Sequence, residues 1–123
     1  MYSGSWAKIV DNTGIKTVQI LRVLSKKKGQ IKAGDMVLCI IKKINQNNRY
    51  KLKKGQIIKG LVVMIKQKLY RKPEDFFIKL YQNTIIILNQ YLLPRGSILK
   101  GAVSREIIWK GHLQIASIAP RVI

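Results

Sequence analysis

The chain offers few side chains that could work as a catalytic pair. It has one histidine, His112, and one cysteine, Cys39, far apart in sequence. The acids number five. Neither Asp11 nor Glu106 has a second group at a spacing that would make it a general base or a nucleophile's partner. The bland readings of these residues are better. Asp11 shapes a turn, Glu106 complements a helix dipole in a first turn, and Cys39 is a small core hydrophobe inside a strand pattern. A structural zinc site needs about four Cys or His ligands, more than the chain supplies, and a single thiol allows no internal disulfide. No phosphate-cradling glycine loop with its lysine is present. The reading is therefore non-enzymatic, with no cofactor and no metal.

The chemistry the sequence does offer is cationic. Lysines and arginines number 24, for a formal net charge of +19 in 123 residues. Between Asp35 and Glu74 there is no acid, and eleven bases fall there: Lys42, Lys43, Arg49, Lys51, Lys53, Lys54, Lys59, Lys66, Lys68, Arg71 and Lys72. With Lys26, Lys27 and Lys28, the bases concentrated in loops suit phosphate contacts. The residues expected to bind RNA are Lys26, Lys27, Lys28, Arg49, Lys51, Lys53, Lys54, Lys66, Lys68, Arg71 and Lys72. Tyr50 and Tyr70 sit among these bases, placed either to stack on nucleobases or to pack on their own loops.

A charge this large repels itself in a compact state, yet 47% of the residues are hydrophobic, enough for a core and too many for a disordered tail. The fold should therefore stand beside a polyanion. An anionic membrane would call for an amphipathic basic helix, and sequence-specific DNA for a recognition helix; neither pattern occurs. No run approaches the ~20 apolar residues of a membrane-spanning helix. The first eight residues match neither a secretory signal nor a transit peptide. The expectation is that the chain acts where it is made or has been trimmed.

The elements that must position these bases read as short strands bounded by turns. Strands are predicted over Lys16–Leu24, Met36–Ile44 and Ile57–Ile65, with two more short ones between Phe77 and Leu88 meeting at Gln82-Asn83. Turns fall at Asp11-Asn12-Thr13-Gly14, Ala33-Gly34-Asp35 and Pro94-Arg95-Gly96. Asn45–Lys54 reads as an exposed hairpin arm, and Lys66–Asp75 as a basic loop. A short helix is predicted from Ser104, taken as its N-cap, to Trp109, and a second segment over His112–Ala119, stopped by Pro120. The sum is a mainly β, single domain over residues 1–123: a small β-barrel with one or two short C-terminal helices.

Several of these segments, in this order, resemble the universal large-subunit ribosomal protein family numbered fourteen, of bacterial or organellar type. They are Asp11-Asn12-Thr13-Gly14, Ala33-Gly34-Asp35, Lys53-Lys54-Gly55 with Gly60-Leu61-Val62-Val63, Arg71-Lys72-Pro73, Asn83, Pro94-Arg95-Gly96-Ser97, Val103-Ser104-Arg105-Glu106 and Ile118-Ala119-Pro120. The resemblance runs from about Val10 to Ile123. It implies a five-stranded barrel with a projecting basic hairpin, binding to large-subunit rRNA, and an intersubunit bridge to small-subunit rRNA. It further implies the third and nineteenth large-subunit proteins as neighbours, and a ribosome-silencing factor as a visitor. Arg95, Ser97, Arg105 and Lys110 are then the expected intersubunit face. The chain departs from the family pattern at Glu74-Asp75, where Asp-Gly is usual, at Asn48-Arg49-Tyr50 in the hairpin arm, at Ile98, where arginine is common, and at Arg121, where an acid is usual. Together with a composition rich in isoleucine, lysine and asparagine, this points to a mitochondrial, organelle-encoded ribosomal protein, with a plastid or an AT-rich bacterium as the alternative. A free-standing RNA chaperone or regulator built on the same barrel is the competing functional reading.

Overall fold

The computed structural model describes residues 3–24, 30–45, 52–66, 68–71, 76–79, 82–96 and 99–123, with residues 68–71 and 76–79 and Leu113 described by backbone alone. Five strands close into a barrel in the order β1 (Trp6–Ile9), β2 (Ile15–Val23), β3 (Met36–Ile44), β4 (Ile57–Met64) and β7 (Thr84–Ile87). Neighbours are antiparallel except at the closure, where β1 and β7 run parallel, pairing Lys8 with Thr84 and Ile9 with Ile85. Shifts of register along β2 at Thr17 and between Ile20 and Arg22 add the local bend and twist a closed sheet needs.

Alternation explains why these sequences form a barrel. In β2 and β3, Val18, Ile20, Val37, Cys39 and Ile41 point inward and are fully or almost fully buried, while Lys16, Arg22 and Lys43 point out. Cys39 donates weakly to the Ile58 carbonyl at 3.6 Å, and burial pushes its thiol up to about 12; it is a core residue, as expected. In β4 and β7 the alternation gives way to continuous apolar runs because both faces are covered. Val62, Ile85 and Ile87 fill the barrel, whereas Leu61, Val63, Ile86 and Leu88 join Val103, Ile107 and Ile115 in a second core on the outside. Each fully buried isoleucine contributes roughly 1.5–3 kcal/mol.

That second core holds the C-terminal segment, with α1 (Glu106–Trp109) and α2 (Leu113–Ile118). The Ser104 amide donates to the Val63 carbonyl at 2.8 Å, and Val103 bridges Val122. Ser104 is not the cap of α1: Arg105 occupies that position, with no side-chain capping bond. The reason is burial. Ser104 is fully enclosed, and its hydroxyl donates to the Glu106 carboxylate instead of accepting from a helix amide. No helix among the described residues is long and apolar enough to cross a membrane.

Two further differences from the sequence reading concern strands. Trp6–Ile9, which carries no strand pattern long enough to predict, forms β1. Lys66–Asp75 is not wholly loop: β5 (Lys68–Arg71) pairs with β6 (Phe76–Lys79) in a separate two-stranded antiparallel sheet, Lys68 opposite Lys79 and Arg71 opposite Phe76. The family-like segments meet in space. Asp11 Oδ1 accepts from the Thr13 amide at 3.2 Å and its hydroxyl at 2.6 Å, and Oδ2 from the Ile87 amide at 2.9 Å. Gly96 lies so close to this turn that a Cβ there would be 2.6 Å from Asn12 Oδ1. At Gly34, φ is +92° and a Cβ would be 2.5 Å from Lys110 Cδ, so glycine is required on both counts.

Candidate nucleic-acid interface

The described acids are all turned to internal work. Asp11 ties the turn before β2 to β7. Asp35 accepts from the Lys32 amide at 2.8 Å and from Lys110 Nζ at 3.0 Å. Glu106 accepts from Ser104. Asp11 is 5% exposed, and its carboxyl sits above its usual range because burial outweighs the opposing bonds from Thr13 and Ile87 and the positive charge of Lys100. Glu74 and Asp75 lie outside the described residues.

The bases, in contrast, face water. Lys8, Lys16, Lys43, Lys53, Lys54, Lys59, Lys66 and Lys100 are exposed, and Lys42 is half-buried. Backbone pairing sets several of them side by side around the barrel wall, with the Lys53-Lys54 turn and Lys66 at opposite ends of β4. Lys8 pairs with Thr17, and Thr17 with Lys43. The Gly55 amide donates to the Ile41 carbonyl at 2.8 Å, which sets the Lys53-Lys54 turn beside Lys42. The Lys53 amide donates to Gln56 Oε1 at 3.1 Å, and buried Leu52 anchors the same turn. The Lys66 amide donates to Asn83 Oδ1 at 2.7 Å, and the Lys8 amide to the Asn83 carbonyl at 3.0 Å, which draws Lys66 to the start of β7. The Lys100 amide donates to the Val10 carbonyl at 2.6 Å.

Two clefts open along the barrel wall and share Lys8 and Thr17. One, of about 370 Å³, is lined by Lys8, Lys16, Lys100 and Asn45 together with Asp11, Ile9 and Ile15. The other, of about 430 Å³, is lined by Trp6, Ala7, Gln82 and Asn83. Trp6 is 51% exposed, and Lys42 Nζ stands 5.8 Å from the centre of its ring.

Of the predicted RNA-binding residues, Lys53, Lys54 and Lys66 are thus exposed and held on ordered backbone. Lys68 and Arg71 belong to β5, where only the backbone is described, and Tyr70 lies between them. Lys26, Lys27, Lys28, Arg49, Tyr50, Lys51 and Lys72 lie outside the described residues, as does Ser97. Arg95 is half-buried, and its Nε meets no partner among the described residues. Arg105 is half-buried, its amide donating to the Ile123 carbonyl at 2.9 Å. Lys110 is committed to Asp35. The sequence reading missed Lys8, Lys16 and Lys100. Their signal was the period-two alternation of β1 and β2, which puts Lys8 and Lys16 on the outer face.

A closed barrel of this strand order, sheathed on one side by two short helices, brings the Asp11 turn against Gly96 and the Gly34 turn against Lys110. The model of the family described as ribosomal protein L14p/L23e matches residues 1–123. The chain belongs to this family. Membership of the L14p/L23e family, a family of structural proteins, makes it a structural constituent of the large ribosomal subunit, found with the ribosome, with rRNA and ribosomal proteins as its partners. The L14p/L23e match also extends the resemblance, which began at about Val10, over β1.

Proposed function

We propose that this chain binds large-subunit rRNA through the basic wall of its barrel and the loops that flank it, and that it contributes to an intersubunit bridge with small-subunit rRNA. The observation that carries the reading is the division of labour between charges. The described acids are engaged in holding turns together, while Lys8, Lys16, Lys43, Lys53, Lys54, Lys66 and Lys100 project from a rigid wall. Fixed cations displace counterions condensed on phosphates, and the barrel decides where those cations stand. The other predicted RNA-binding bases, Lys26, Lys27, Lys28, Arg49, Lys51, Lys68, Arg71 and Lys72, belong to the same proposed binding function. Arg95, Ser97, Arg105 and Lys110 are the residues proposed for the bridge face; of these, Lys110 also pairs with Asp35. The third and nineteenth large-subunit proteins are its proposed neighbours, and the silencing factor its proposed visitor. The Ile/Lys/Asn-rich composition supports a mitochondrial ribosome; a nuclear or bacterial chromosomal gene would sink that point.

Gradient sedimentation tests the main reading. The chain should travel with the large subunit through a moderate salt wash, whereas an RNA chaperone would remain near the top. In purified form, Lys53→Ala with Lys54→Ala and Lys66→Ala should weaken binding to a large-subunit rRNA fragment and lower the log–log salt slope by roughly 0.7–0.9 per lost phosphate contact. An unchanged slope would remove these residues from the interface.

A further inference from the structure

We propose that the cleft at Trp6 is a stacking site for a single unpaired RNA base. This deepens the rRNA-binding reading and rests on it. A tryptophan is a poor choice for an exposed wall position, since leaving half of the indole in water forfeits burial that Ala7, its inward-facing neighbour, obtains. Its surroundings suit a nucleotide. In the barrel order β7-β1-β2-β3, Trp6 stands on β1. Lys42 approaches the ring from β3, two strands away on one side. Lys8, Thr17, Gln82 and Asn83 line the cleft with Trp6.

Each part has a matching ligand group. The indole gives a π face for a base, and stacking of this kind tolerates any base. Lys8 and Lys42 stand where the phosphates flanking a splayed-out nucleotide would run. Gln82 offers a donor and an acceptor to a base edge, and Thr17 a hydroxyl. The Lys66 amide holds Asn83 Oδ1, which fixes that amide's orientation at the wall. The cleft's 430 Å³ falls within the roughly 300–1,000 Å³ of sites that hold small-molecule-sized groups. Among the described residues no carboxylate lines it, which suits a phosphate. A protein side chain would satisfy the indole but leave both lysines without anions, and so RNA is favoured.

The test uses the full chain and a short, unstructured, mixed-sequence RNA, with affinity read by fluorescence anisotropy over a range of salt. Trp6→Ala should weaken binding about 5- to 150-fold at fixed salt with the salt slope unchanged, since stacking releases no counterions. Trp6→Phe should retain most of the affinity. Circular dichroism of both variants checks that the barrel is intact. In a Trp109→Phe background, binding should quench the remaining indole emission. Wild-type affinity in Trp6→Ala, or no quenching, would overturn the stacking site while leaving rRNA binding in place. Failure of the wild-type chain to bind any RNA would overturn both readings. If Trp6→Ala spared RNA and weakened only a contact to a neighbouring ribosomal protein, the cleft would be a protein socket and the proposal wrong.

Discussion

Asp11 shows how one residue can be legible in kind and illegible in reach. Aspartate followed by asparagine, threonine and glycine announces a turn, and the Thr13 bonds confirm it. Nothing in the sequence said that its second oxygen would accept from Ile87, 76 residues on, because barrel closure alone brings β7 there. This burial has a testable cost. A carboxyl whose folded pKa lies above its unfolded value keeps its proton to higher pH when folded. Its contribution to stability is therefore fully present below the ordinary value of 3.8 and is lost as pH rises through the raised one. Asp11→Asn removes this titration. The difference in unfolding free energy, wild type minus variant, should fall with rising pH from about 3.8 upward in urea titrations at a series of pH values. A difference that grew over that window would mean that the bonds from Thr13 and Ile87 outweigh desolvation.

At the scale of elements, β2, β3 and β4 were legible because each is a run of eight or nine residues with apolar side chains to bury. β1 was not, since Trp-Ala-Lys-Ile is four residues long with a tryptophan and a lysine facing out. β5, Lys-Leu-Tyr-Arg, hid inside a basic stretch for the same reason. Lys8, Lys16 and Lys42 were visible as bases but not as a group, because strand pairing between distant segments gathers them. The turn after β7 carries a strain that no propensity would reveal. Asn89 Oδ1 accepts from the Tyr91 amide at 2.8 Å and the Leu93 amide at 3.0 Å, and Leu88 bridges Pro94. The tightness of this turn forces Leu92 to φ +62° with its side chain 42% exposed. A left-handed leucine costs roughly 1–2 kcal/mol, which asparagine largely avoids. Leu92→Asn should therefore raise Tm by a few degrees in a thermal melt; a lower Tm would show that the leucine's contacts outweigh its backbone strain.

For the whole molecule, the +19 charge has two consequences of opposite sign in salt. The described acids that could have offset it sit in turns and helix starts, so like charges follow one another around the barrel wall, from Lys8 and Lys16 to Lys53 and Lys54. This repulsion acts through water, and water with salt screens it: the Debye length shrinks from about 10 Å at ~0.1 M to about 3 Å at ~1 M. A fold held together by surface ion pairs would soften over this range. The Lys110–Asp35 pair would weaken somewhat, but with Lys110 38% exposed its contribution is at most about 1 kcal/mol. Net self-repulsion should dominate. The isolated chain's Tm should rise as potassium chloride is raised from ~0.1 to ~1 M, while its affinity for RNA falls steeply over the same range. Thermal melts and RNA titrations on one preparation would read both. A Tm that fell along with the affinity would mean that the free barrel does not carry the electrostatic strain its charge implies, and that its excess of lysine is compensated within the chain and not by rRNA.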